Sequence, residues 1–106
     1  MNKIELIGRL VKDIEVKKSK NGNDFGTFTL AVQRKSNKEI TDFFDCVVFG
    51  NLIEVLQKYT SKGLRLLVEG ELQINTFEDK EGNKKQSNSV VVNDFYFVDF
   101  NQNVNE

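Results

Sequence analysis

A chain of 106 residues, 39% hydrophobic and 29% charged, has the length of one domain and the composition of a folded globular protein. It has no His and a lone cysteine, Cys46, which excludes His-based catalytic pairs, Cys/His zinc sites and an internal disulfide. A net charge of −1 argues at first against a polyanionic partner, but residues 1–38 sum to +5 and residues 39–106 to −6, so a basic face can still form.

Residues 3–17 alternate, with Ile4, Leu6, Leu10, Ile14 and Val16 on one parity and Lys3, Glu5, Arg9, Asp13 and Glu15 on the other. This predicts one long strand that Gly8 allows to bend. Ile7 and Val11 interrupt the polar face, as if another subunit covered part of it. KKSKNGND (17–24), with Asn21-Gly22, predicts a hairpin turn. A second strand is predicted over 25–35, with Phe28, Leu30 and Val32 facing opposite to Thr27, Thr29 and Ala31. After a polar loop at 36–39, a third strand runs over 40–49. The period then changes. Leu52, Val55, Leu56 and Tyr59 share a helical face over 51–62, with Asn51 as N-cap and Gly63 as C′ residue.

A fourth strand, bent at Gly70, is predicted over 64–77. DKEGNKK (79–85) makes a second Lys-bearing tip, and a fifth strand covers 90–98. The order strand, strand, strand, helix, strand, strand predicts an all-β OB-fold. That is a five-stranded Greek-key β-barrel with one helix between strands three and four. From pattern alone, another small α+β domain is the alternative. The predicted domain spans 1–100, leaving 101–106 as a short frayed C-terminus.

The third strand is the most informative. In TDFFDCVVFG (41–50), Phe43, Asp45, Val47 and Phe49 occupy one parity and Phe44, Cys46 and Val48 the other. A barrel strand buries one parity, so some of these rings must face outward. Phe77 poses the same question, since it shares parity with Arg65, Glu69, Glu71, Gln73 and Asn75. Outward rings beside basic loops suit base stacking, whereas the competing reading is an oligomer interface. Cys46 reads as a core residue, and no phosphate-cradling Gly-rich motif occurs.

NKIELIGRL (2–10), the NG turn (21–22), TFTLAVQR (27–34), DFFDCVVFG (42–50), KG (62–63), VEGEL (68–72), TFEDKEGNKK (76–85) and VVVN (90–93) occur in this order. In these blocks and their spacing the chain resembles the bacterial and phage single-stranded DNA-binding (SSB) proteins, from Asn2 to about Val98. The resemblance implies an OB-fold, usually a homotetramer with a dimer as the alternative, that binds single-stranded DNA in replication, recombination and repair. It places base-stacking aromatics at Phe43, Phe49 and Phe77 and phosphate-facing cations at Lys17, Arg34 and Lys62. Neighbouring Lys18, Lys20, Lys35, Lys80, Lys84 and Lys85 join the phosphate set by their place on the tips and loops.

The pattern also departs from that family. A further stacking position is Ser36, often-basic positions are Gln73, Asn75 and Thr76, and a position that can be Arg is Asp45. The usual acidic C-terminal tip, which recruits replication and recombination proteins, is not seen before Glu106. No catalytic activity, cofactor or metal is expected. A lone cysteine, no secretory signal and no apolar run near about 20 residues point to the cytoplasm of a bacterial or phage-infected cell. The alternatives are an OB module that binds RNA or serves as a primosome-type accessory, and a protein-interaction domain.

Overall fold

Alternating apolar residues build six strands and one helix in a computed structural model that describes residues 1–98. The elements are β1 (Ile4–Leu10), β2 (Glu15–Lys18), β3 (Asp24–Gln33), β4 (Thr41–Phe49), α1 (Asn51–Tyr59), β5 (Arg65–Glu78) and β6 (Lys84–Phe97). The sheet order is β1-β5-β6-β4-β3-β2, and an additional β1–β3 pairing curls it round on itself. This is the expected OB-fold, with α1 following β4. The frayed end expected at 101–106 lies outside the described residues.

The long first strand of the sequence reading is divided. Between Leu10 and Glu15 the chain leaves the ladder, so β1 pairs mainly with β5 and β2 pairs only with β3. All four β2 residues are exposed, Val16 included. Gly8 does bring strands close: a Cβ there would lie 2.7 Å from the Ala31 carbonyl oxygen on β3.

The core is the inner parity of every long strand. Leu30, Val48, Leu66, Val68 and Val90 are completely buried, and Leu56 of α1 joins them. Each such side chain contributes about 1.5–3 kcal/mol by leaving water. At Gly70 a bulge resets the ladder: Gly70 pairs with Val92 but Glu69 pairs with Asp94, leaving Asn93 as the extra residue. Parity along β6 therefore shifts, and Phe95 is buried along with Val90 and Val92. Only glycine fits at position 70, because a Cβ would meet the Val91 carbonyl oxygen at 2.0 Å.

The helix is shorter than expected, and only Leu56 and Leu52 of its expected face pack against the core. Gly50, at φ 67°, is its N-cap and Asn51 its first residue, because the chain must reverse immediately after β4. Ile53 and Leu56 are buried while Val55 and Tyr59 are exposed. Thr60 ends the helix, its N–H donating to the Leu56 carbonyl at 3.1 Å. Gly63 lies in the following turn, where its N–H donates to the Leu10 carbonyl at 2.8 Å.

The last strand begins six residues earlier than the expected 90, at Lys84. Its first half pairs with the end of β5 from Gln73–Ser89 to Glu78–Lys84. The result is a two-stranded arm whose residues are exposed on both faces from 73 to 78 and from 84 to 88.

Candidate nucleic-acid interface

Residues paired directly across a ladder point to the same face. On β4 the outward set is Phe43, Asp45, Val47 and Phe49, opposite Ala31, Thr29, Thr27 and Phe25 of β3. β2 continues two of these rows, with Lys17 opposite Phe25 and Glu15 opposite Thr27. On the other edge Val47 pairs with Val91 of β6. From there the face extends onto the arm through Val91–Glu71, Ser89–Gln73, Ser87–Asn75 and Lys85–Phe77. One continuous surface thus crosses β2, β3, β4, β6 and β5.

The three expected rings all lie on it. Phe43, Phe49 and Phe77 are 65%, 55% and 48% exposed, whereas Phe44 packs against the core. A fourth ring, Phe25, belongs beside them: its centroid is 6.4 Å from that of Phe49, with the planes tilted by 41°. Phe25 has the outward parity of Thr27, Thr29 and Ala31, so the alternation already contained it.

The cations are placed unequally. Lys17 stands in the row of Phe25 and Phe49. Lys18 faces Asp24 across its ladder, and Lys20 occupies the 19–23 turn. Lys80 lies in the matching turn at 79–83, where the Asp79 carboxylate accepts the N–H groups of Glu81 and Asn83, both at 2.9 Å. Lys84 faces Glu78, and Lys85 faces Phe77 while reaching Asp79 at 3.7 Å. Lys35 is in the loop after β3. Lys62 is positioned by its backbone N–H, which donates to Asp13 at 2.7 Å beside the chain's Lys12.

Arg34 is engaged elsewhere. Its Nε and Nη2 donate to the two Asp42 oxygens at 2.8 and 3.1 Å, one residue from Phe43. These hydrogen bonds hold the Asp42 carboxyl below its ordinary range and raise the guanidinium further. Lys12, absent from the sequence-based set, pairs with Glu15 at 2.8 Å, which raises the amine and lowers the carboxyl. No periodic signal marks Lys12, because it lies in the break between β1 and β2.

Two hollows of about 340 and 270 Å³ flank Asp45. Lys12, Lys17 and Thr29 border the first, and Phe43, Leu72 and Asn88 the second, with Ser89 shared. Beneath them the Cys46 thiol is pushed up to about 12, chiefly by burial and then by the Asp45 charge. Stackable rings, amines at the margins and shallow nucleotide-sized recesses together can hold a flexible polyanion with flat bases.

A second surface lies on the outer face of β1, β5 and β6. Its rows run Glu5–Glu69–Asp94, then Ile7–Leu67–Tyr96, then Arg9–Arg65. Ile7 and Tyr96 are about half exposed, and the Tyr96 hydroxyl donates to Asp94 at 3.1 Å. An apolar row is thus bordered by acids on one side and bases on the other. Among the described residues no helix is long and apolar enough to cross a membrane, and no group of three or more acidic or Cys side chains could hold a metal ion.

The model of the Single-strand binding protein family matches residues 1–98. The chain is 43% identical over 104 residues to the single-stranded DNA-binding protein of Thermotoga maritima, covering 92% of this chain and 74% of that protein. Against the single-stranded DNA-binding protein of Clostridium perfringens it is 39% identical over 100 residues, covering 93% and 67%. A solved structure described as a Plasmodium falciparum SSB complex with single-stranded DNA superposes with a TM-score of 0.79 at 29% identity, covering 93% of this chain and 96% of that one.

Proposed function

From the premise that the chain belongs to the single-strand binding protein family, we propose that it coats single-stranded DNA by stacking bases on Phe43, Phe49 and Phe77. The observation that carries this reading is the single exposed face that holds all three rings, with Lys85 directly across from Phe77. Base–aromatic stacking tolerates any sequence, because every base has a π-face. Lys17 and Lys85 on that face, with Lys20, Lys35, Lys62 and Lys80 in the turns and loops, draw the phosphates. Lys18 and Lys84, in the opposite-parity rows of Asp24 and Glu78, face away from it, and Arg34 is a reserve cation held by Asp42. This activity requires no catalytic step, and it serves replication, recombination and repair in the cytoplasm of a bacterial or phage-infected cell.

The same protein assembles with copies of itself through the β1-β5-β6 face, as a tetramer or a dimer. A two-fold contact there lays the Ile7–Leu67–Tyr96 row on its own copy and brings acidic rows toward basic ones. Several copies on one strand multiply the binding, since each further contact is intramolecular.

Anisotropy with labelled oligo(dT), the matching duplex and an RNA oligomer tests the reading. The expected result is preference for the single DNA strand. Equal affinity for duplex and single strand overturns it, and tighter binding to RNA transfers the face to a different substrate.

A further inference from the structure

Asp45 is an anion at the middle of a surface that must hold a polyanion. It sits two residues from Phe43 and four from Phe49 on the same outward parity, roughly 7 and 14 Å along the strand. The Thr29 hydroxyl donates to its Oδ1 at 3.2 Å, which fixes the carboxylate. Among the described residues nothing donates to Oδ2. The other two acids on this face have side-chain partners: Glu15 is bound by Lys12 at 2.8 Å and Glu71 accepts from Gln73 at 2.9 Å.

A carboxylate repels phosphate, so the DNA backbone must pass along the margins where the lysines stand. The base edges then point inward over Asp45. An ionised carboxylate is an acceptor only. Cytosine offers its N4 amino group to such an acceptor, while the thymine edge carries O4, which a carboxylate repels.

Resting on the single-strand reading above, we infer that Asp45 biases this face toward bases that carry an exocyclic amino group, cytosine before thymine. The ridge between the two hollows is where that selection occurs, because a base seated in either one brings its edge to the same carboxylate. The general binding stays independent of sequence, and the bias is one of composition.

The test compares labelled oligo(dC) and oligo(dT) of equal length on the full chain, as wild type, Asp45→Ala and Asp45→Asn. Removing the charge should tighten binding to both strands, but more for oligo(dT). The dC-to-dT affinity ratio should fall about fivefold in Asp45→Ala, the low end of what one good base contact supplies. Asp45→Asn adds an amide N–H donor that thymine O4 can accept, so the ratio should fall there as well. If both substitutions strengthen dC and dT binding by the same factor, Asp45 is merely repulsive and the inference fails. If the wild type binds neither oligonucleotide, the single-strand reading itself falls and takes this one with it.

Discussion

The Arg34 guanidinium is locked to the Asp42 carboxylate through two hydrogen bonds, at 2.8 and 3.1 Å, one residue along β4 from Phe43. Such a fork spends two of the donors that would otherwise meet a phosphate. Asp42→Ala should therefore release Arg34, tighten binding to oligo(dT) and steepen the slope of log K against log salt by about 0.7, one phosphate's worth. Anisotropy titrations at several salt concentrations measure this. If about five phosphates are neutralised, the wild-type slope should lie near −3 to −4.

The same pair predicts a pH dependence. Asp42 has its folded pKa lowered, first by its hydrogen bond with Arg34. Its contribution to stability is therefore present at neutral pH and disappears as pH falls through that lowered value. Both partners are exposed, so the effect is small. An NMR titration of the Asp42 carboxyl should show its midpoint rising in Arg34→Ala.

Phe43→Ala and Phe49→Ala should each weaken oligo(dT) binding by about 1–3 kcal/mol, the range for one stacked base. Light scattering should show the assembly unchanged. Ile7→Arg should give the converse result, splitting the assembly while a single copy keeps its stacking face. A Phe43→Ala protein that changes its oligomeric state instead would assign the ring to an interface.

Gly70→Ala should be among the most damaging small substitutions in the chain. The added methyl meets the Val91 carbonyl oxygen at 2.0 Å, so the bulge must open. Overpacking of this kind costs about 1–3 kcal/mol and sometimes more. Thermal unfolding should show a marked loss of Tm.

The Cys46 thiol, pushed up to about 12 by burial, should resist alkylation in the native protein and react readily once unfolded. Because its folded pKa is raised, stability should decline as pH climbs above the ordinary thiol value of 9.0. Mass spectrometry after iodoacetamide treatment, with and without denaturant, checks the first statement.

The outward rings were legible because strand parity is strict: once Val48 and Cys46 are core, Phe43 and Phe49 must face out. The first half of β6 was not legible. KKQSNS (84–89) has no apolar alternation, since the arm has no core on either side and its strand character comes wholly from pairing with β5. The Arg34–Asp42 pair was equally hidden, because it depends on the β3–β4 register and on the hairpin loop between them. The helix face was legible in half: of Leu52, Val55, Leu56 and Tyr59, Leu56 is buried and Leu52 packs against the core, whereas Val55 and Tyr59 are exposed and Ile53 takes their place against the barrel.

β4 is held unevenly. Its ladder to β3 runs from Phe25–Phe49 to Gln33–Thr41, whereas its ladder to β6 consists of Cys46–Val90 and Val47–Val91 alone. On the path proposed above, from Phe49 and Phe43 toward Phe77, single-stranded DNA would cross that short parallel seam. A ligand so placed would work as a clasp, fastening two sides of the barrel that two residue pairs join there.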